Sequence, residues 1–430
     1  MRRRLLPLGL AALLFNPSFA QVPDTLAGGV AAPRKAEAAS PLTLSAALEM
    51  AVAVNPELAA ARRELEAIEA TVIQARTRPN PELATLVEDT RSATRTTTLQ
   101  LNQPIELGGK RAARIDAAER GRDAARAELR GKGAEIRAAV TAAFYDTLVA
   151  QERQRLARSS VELAQRATDV ARRRVLAGKV SPIEETKARV AESGVRVELQ
   201  LAESELATAR KRLAGLWGDA APRFERVDGD TQAVPPPLAR ADLERRLDAA
   251  PNLLRARIEV DRRLALAEIE RSRRIPDLTV SLGAKRNNEL GRDQALLGVS
   301  IPIPLFDRNQ GNLLEALRRA DKARDELAAT EVRLSNELAQ AIERLSTART
   351  ELDLLGRDIL PGAESAHAAV LKGFELGKFS FLEVLDAQRT LFAAKAQNLR
   401  AQAEAHRAAA DIERILGDAT PDSAPIAAQP

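Results

Sequence analysis

Apolar residues recur every seven positions in two long stretches, at Val149, Leu156, Leu163 and Val170 and again at Leu338, Leu345, Leu352 and Ile359. A sevenfold spacing keeps one apolar seam in line along a helix and predicts left-handed coiled-coil packing. The helical pattern runs from about Lys110 to Ala177 and from about Asn312 to Leu376. At the usual helical rise, each run would reach roughly 100 Å. Gly131, Gly133 and Pro361-Gly362 predict bends within these runs. A tight turn follows each, at Gly178 and Gly377, and then a return helix, from about Pro182 to Leu216 and from about Phe381 to Leu416. Pro182 suits a first helical turn and Gly178 a helix end. Leu199, Leu206 and Leu213 keep the seven-residue spacing on the way back.

Ahead of each long run the period changes from about 3.6 to 2. Leu278, Val280, Leu282 and Ala284 alternate with polar or small residues, and Ala295, Leu297, Val299, Ile301 and Ile303 share one face beyond a polar loop, Arg286 to Asp293. In the first half Leu99, Leu101 and Ile105 alternate with Thr98, Gln100 and Asn102, with a weaker partner at about Glu82 to Glu88. Such alternation predicts strands with one apolar and one polar face. Before each strand pair a helix is expected, at about Thr43 to Arg76 and Arg240 to Arg273, ended by Pro79-Asn80-Pro81 and Pro276-Asp277.

The chain is therefore a duplication. Asn55-Pro56-Glu57-Leu58 answers to Ala250-Pro251-Asn252-Leu253, Gln103 to Leu107 answers to Ile301 to Leu305, Gly178 to Ser181 answers to Gly377 to Ser380, and Leu216-Trp217-Gly218 answers to Ile415-Leu416-Gly417. Four landmarks in one order define two repeats, 41–217 and 239–417. A Gly- and Pro-containing linker, 218–238, joins them, and flexible segments are expected at 21–40 and 418–430.

Arg2-Arg3-Arg4, the apolar run Leu5 to Phe15 and Ser18-Phe19-Ala20 have the anatomy of a secretory signal peptide, 1–20. No later stretch reads as a membrane-crossing helix, so integration into a membrane requires strands, which must close into a barrel. Four amphipathic strands cannot close alone; three chains supply twelve, within the range of outer-membrane barrels. The expected fold is thus mainly α with a small β part: duplicated long hairpins forming a periplasmic α-barrel, and four strands per chain contributing to a trimeric twelve-stranded outer-membrane β-barrel.

The chain has no cysteine, which excludes disulfides, thiolate metal sites and sulfur-linked lipid. Lys+Arg number 65 against Asp+Glu 60, three of the basic residues lying in the leader, with both signs interleaved along helices. That marks solvated helix faces and argues against a nucleic-acid partner. His367 and His406 stand in separate helices. No clustered histidines, phosphate loop or catalytic constellation appears, so neither an enzyme nor a cofactor is expected. A periplasmic adaptor would carry one hairpin, not two, and a soluble coiled-coil scaffold would not need the strand pairs.

The whole mature chain resembles the TolC-like outer-membrane efflux factors. Within them, Gln103 to Arg111 (QPIELGGKR) and Ile301 to Gly311 (IPIPLFDRNQG) are similar to the cobalt–zinc–cadmium efflux branch. The resemblance implies a homotrimer in outer-membrane lipid with a large periplasmic portion. It implies docking onto a periplasmic adaptor (membrane fusion) protein and an inner-membrane proton-driven pump of the resistance-nodulation-division class. The cargo would be divalent heavy-metal cations, with drugs or secreted polypeptides as the alternative. Gly178, Lys179, Val180, Ser181, Gly377, Lys378, Phe379 and Ser380 would be the docking tips. Phe381 to Ala387 resembles the segment that places acidic rings at the periplasmic aperture, formed by Glu383 and Asp386, with Glu184 at the matching place after the first tip. The archetype closes its aperture through a tyrosine before the second tip and an arginine after it; here Phe374 and Phe379 stand there, so a closed state would be held differently.

Overall fold

A computed structural model of the chain describes residues 41–230, 234, 239–376 and 378–417, all within one compact unit, Glu37–Pro430. The expected signal peptide, the segment 21–40 and the tail 418–430 lie outside the described residues.

Each repeat opens with two helices where the sequence suggested one. In the first, α1 spans Leu44–Val54 and α2 spans Pro56–Ala75. Pro56 disfavours helical backbone in the residue before it, and Asn55 is accordingly extended, at φ −57° and ψ 125°. Its side chain uses the break: Oδ1 accepts from Leu58 N at 2.8 Å, and Nδ2 donates to the Leu216 carbonyl at 2.7 Å. Pro251 divides the second repeat in the same way, into α5 (Arg240–Leu247) and α6 (Pro251–Ser272).

The strands are β1 (Glu82–Glu88), β2 (Thr96–Ile105), β3 (Leu278–Asn287) and β4 (Arg292–Ser300). They form one antiparallel sheet in the order β1-β2-β3-β4, so the two repeats join edge to edge through β2 and β3. Register places Leu83, Leu101, Leu282 and Leu297 in one row, and Thr85, Leu99, Ala284 and Ala295 in the next on the same face. The opposite face carries Glu82, Asn102, Ser281 and Gly298 in one row and Ala84, Gln100, Gly283 and Leu296 in another. Ile301 and Ile303, expected in the fourth strand, lie beyond its end.

Gly108 and Gly109, both with positive φ, turn the chain from β2 into α3 (Lys110–Leu176), a single helix of 67 residues. Gly131 and Gly133 do not interrupt it. Its return partner is α4 (Pro182–Gly215). In the second repeat the long run consists of α7 (Gln310–Leu354), a π turn (Leu355–Ile359) and α8 (Leu360–Glu375), returning as α9 (Phe381–Leu416).

Small side chains carry the helix seams. Ala143, Ala150, Ala164 and Ala171 are buried along α3, Ala188, Ala202 and Ala209 along α4, and Ala394, Ala401 and Ala408 along α9. These fall on seven-residue spacing, while Val149, Leu156, Leu163 and Val170 are only half-buried. Alanine at the contact lets helix axes approach closely, and close approach strengthens dispersion. In the second repeat Leu338, Leu345 and Leu355 are buried, yet Ile359 is 46% exposed. The π turn admits one extra residue per turn. The seam therefore resumes one position late, through half-buried His367 and Val370 to buried Phe374. Pro361 follows directly and has no N–H to continue an α-helical ladder.

Two pseudo-equivalent cores lie at the middle of the repeats. One gathers Leu42, Val140, Phe144, Leu148, Leu213 and Trp217; the other gathers Leu243, Leu253, Leu334, Leu338, Ile412 and Ile415. The inter-repeat segment takes part in the first core, since Phe224 and Val227 are buried there and Leu42 exchanges backbone hydrogen bonds with Arg226 and Asp228. The linker is thus a packed element where it is described.

Candidate functional site

The candidate sites are surfaces, at the sheet and at the hairpin tips. On the sheet, Leu83, Leu99, Leu101, Leu282, Leu297 and Val299 are exposed on the apolar face. The band ends where Arg286 meets Asp293 at 3.1 Å. The polar face is hydrogen-bonded along and across its strands: Gln100 Nε2 donates to Asn102 Oδ1 at 2.6 Å within β2, Ser281 Oγ donates to the same oxygen from β3 at 2.7 Å, and Lys285 reaches Glu88 at 3.3 Å. An exposed apolar face of this size is costly in water and favourable in lipid, whereas the opposite face suits water. Both outer edges, β1 and β4, are unpaired in the single chain.

The junction between sheet and helices is pinned across the repeats. Asp277, just before β3, accepts from Leu107 N at 3.1 Å and from Lys110 Nζ at 2.7 Å. Arg114 binds Glu106 and donates to the Thr77 carbonyl at 3.2 Å. The Glu106 partnership raises the Arg114 pKa, so this cation stays charged. Further along, Asp146 of α3 accepts from Arg407 of α9 at 2.6 Å and lies 3.8 Å from Arg212 of α4. Three helices are tied at that level by one largely covered carboxylate.

At the first tip, Gly178 has φ +68°. Its N–H donates to the Val175 carbonyl at 2.9 Å, and that of Lys179 to the Arg174 carbonyl at 2.9 Å, closing the helix end. Val180 is half-buried, and Ser181 Oγ caps α4 by accepting from Ile183 N at 3.4 Å. At the second tip Gly377 lies outside the described residues. Lys378 N donates to the Gly373 carbonyl at 2.8 Å, and the Phe379 ring lies against Gly373 where any side chain would stand.

Glu184 and Glu383 occupy the first turns of the return helices, and Asp386 the turn after. Glu383 and Asp386 are both exposed and three residues apart, so they share a helix face. Glu383 also closes a capping box: its Oε2 accepts from Ser380 N at 2.6 Å while Ser380 Oγ accepts from Glu383 N at 3.4 Å. Those Ser380 hydrogen bonds hold the Glu383 carboxyl below the ordinary glutamate range. A lowered folded-state pKa means the cap contributes fully above the unfolded value and is lost as pH falls through the folded one. Glu184 instead pairs with Lys187 at 3.3 Å. The capping role was legible in Ser380-Phe381-Leu382-Glu383, an S-x-x-E sequence before an apolar run.

Sequence reasoning missed the tie between the two tips. Arg174 of α3 donates from Nη2 to the Phe374 carbonyl at 2.9 Å, and its guanidinium stands 4.2 Å over the Phe374 ring. Phe374 is buried with Ala171, Ala188, Val384 and Leu385. Phe374 thus receives a cation through its ring face and its backbone, which no short-range motif signals. Among the described residues no helix is long and apolar enough to cross a membrane, and no group of three or more His, Asp or Glu is placed to hold a metal ion.

The architecture is that of bacterial outer-membrane channels. The crystal structure of the outer membrane protein VceC from Vibrio cholerae superposes with a TM-score of 0.74 at 19% identity, covering 87% of this chain and 96% of that one. A crystal structure of CusC gives 0.73 at 18% identity, covering 87% and 92%. The profile of the Outer membrane efflux protein family matches residues 47–219 and 243–418, one match per repeat. The chain belongs to that family and is an outer-membrane protein. It is 50% identical over 417 residues to the cobalt-zinc-cadmium resistance protein CzcC of Cupriavidus metallidurans, covering 97% of this chain and all of that protein. It is 28% identical to the nickel-cobalt-cadmium resistance protein NccC of Alcaligenes xylosoxydans xylosoxydans, covering 68% and 67%. The relatives are resistance and efflux proteins, not enzymes.

Proposed function

We propose that three copies of this chain form a passive outer-membrane duct that carries divalent heavy-metal cations, cobalt, zinc or cadmium, to the exterior. A resistance-nodulation-division pump in the inner membrane and a periplasmic adaptor would deliver them to the hairpin tips around Gly178 to Ser181 and Gly377 to Ser380. The observation that carries this reading is the sheet: one lipid-compatible face, one polar face and two open edges, continuous with helices of up to 67 residues. Unpaired edges in lipid are not tolerated, and further copies remove them. The names of the 50%-identical relative and of the nickel and cobalt resistance proteins support the cargo.

The cargo is tested by deleting the gene. Sensitivity to cobalt, zinc and cadmium should rise; unchanged metal tolerance with new drug sensitivity would instead make this a drug-efflux duct. The aperture has its own test. Glu383, Asp386 and Glu184 would stand as stacked carboxylate rings, and like charges in a narrow mouth raise the local cation concentration. Glu383→Ala with Asp386→Ala should lower cation selectivity in planar-bilayer recordings. Equal selectivity in the double variant would remove these residues from the aperture.

A further inference from the structure

The duplication specifies how neighbouring copies meet, residue by residue, provided the trimeric reading above holds. Glu82 pairs with Asn102 in the first hairpin, and Thr279 pairs with Ser300 in the second. These pairs are equivalent, since Asn80 answers to Asp277 ahead of the hairpins and Pro104 answers to Pro302 near their ends. One hairpin therefore repeats the other without a slip. Within the chain the second strand of repeat one pairs with the first strand of repeat two: Pro104 with Thr279, Gln103 with Val280, Asn102 with Ser281, Leu101 with Leu282. The open edge of β4 is the same edge of the second repeat, and the open edge of β1 is the same edge of the first.

From this we infer that β4 binds β1 of a second copy of this chain in the register that β2 and β3 already use. Carried through the repeat, Pro302 stands opposite Glu82 of the next copy, Ile301 opposite Leu83, Ser300 opposite Ala84, Val299 opposite Thr85 and Leu297 opposite Val87. Two features not used in the transfer agree with it. First, the faces match. Leu297, Val299 and Ile301 continue the apolar rows of Leu83, Thr85 and Val87, and a one-residue slip would turn each to the polar side.

Second, the prolines match. Pro104 lies in the β2–β3 ladder without an N–H, so even-numbered residues of β2 turn their amides toward β1 and odd-numbered ones toward β3. The registers are free of bulges, and alternation then turns the amides of Leu297, Val299, Ile301 and Ile303 toward the open edge. Pro302 and Pro304 fall in the set that faces inward, where β3 has ended. The prolines of Ile301-Pro302-Ile303-Pro304 are thus placed so as not to block the edge. Ile301 and Ile303, 49% and 76% exposed and outside the strand in the single chain, become strand on assembly, as Ile105 is in β2. The contact is head-to-tail, and a head-to-tail contact closes a ring only at one copy number.

The chain lacks cysteine, which makes paired cysteines a clean test. Ser300→Cys with Ala84→Cys joins small residues on the polar face, and oxidation in membranes should give a covalent, reducible trimer. Val299→Cys with Thr85→Cys, on the other face, should give the same species, which guards against a folding defect in either pair. Ser300→Cys with Leu86→Cys is two residues out of register. It should yield at least about tenfold less, because diagonal neighbours lie beyond comfortable disulfide reach. Within one chain residue 84 shares a row with residue 296, so residue 300 stands three strand spacings across and four residues along, roughly 20 Å away, and no internal bridge competes. Native mass measurement of each variant separates the two ideas. A monomer overturns the trimeric reading. A trimer that cross-links out of register, or in neither register, leaves that reading intact and overturns this seam.

Discussion

Gly283→Val should abolish insertion, leaving no folded, heat-modifiable species in outer membranes and a metal sensitivity equal to gene deletion. A Cβ at this position would lie 2.5 Å from the Leu99 carbonyl oxygen and 3.1 Å from the Gln100 Cα. Both obstacles are backbone of the adjoining strand, which is itself held on its other side by β1. Overpacking costs about 1–3 kcal/mol where side chains can give way; here nothing flexible yields, so the cost lies at or above the top of that range. The polar face is also where the sheet must curve toward a lumen, and glycine is the residue that permits a close backbone approach. Gly298→Ala is the matched control. Its Cβ would meet the Ser281 Cβ at 3.6 Å, an ordinary contact, and the variant should insert normally. Normal insertion of Gly283→Val would show that the strands can separate there and that the close approach is incidental.

Phe144→Ala should produce the largest loss in the helical part, about 3–5 kcal/mol for removing a fully buried phenylalanine. Phe144 is 1% exposed. It meets Tyr145 edge-on at 5.6 Å, packs with α1, the end of α4 and the inter-repeat segment, and its Cε1 lies 3.1 Å from where a Cβ on Gly229 would stand. Truncation therefore opens a cavity shared by four pieces of chain. The thermal midpoint followed by helical circular dichroism should fall by many degrees, and residues 218–230 should become susceptible to proteolysis. Leu176→Ala, at a position 81% exposed, should change neither. An unshifted midpoint for Phe144→Ala would mean this cluster is not what holds the repeat together.

Much of the architecture was legible because its signals are periodic. Two strand pairs, two long hairpins and the duplication are carried by alternation, sevenfold spacing and ordered landmarks. Proline was read less well. Pro56 and Pro251 were visible, yet each was absorbed into one helix, although a proline constrains its predecessor as strongly as itself. The expected seam residues Leu206, Leu213, Leu338 and Leu345 are buried, but the seam of α3 was misplaced for a different reason. Large aliphatic residues catch the eye in a heptad, but in long antiparallel helices the closest packing goes to alanine, leaving Leu156 and Leu163 half-buried. Ile359 fell off its seam because a π turn shifts phase, and no local residue type announces that shift.

For the tips, residue type was legible and role was not. The acidic character of Glu383 is plain, but its hydrogen bonds to Ser380 are set by the helix start. The pairing of Arg174 with Phe374 links residues 200 positions apart.

The sequence alone determined the repeat, the two periods, the cysteine-free character of the chain and the alternation that gives its strands one apolar face. Those follow from local chemistry repeated along the backbone, which requires no knowledge of distant neighbours. Only the tertiary structure decided that β2 meets β3, that Asp277 and Asp146 tie separate elements, that the linker joins a core, and that Arg174 holds Phe374. Each depends on which surfaces meet once burial and hydrogen bonding are satisfied together. Residues far apart in the chain meet at energies that no single stretch encodes.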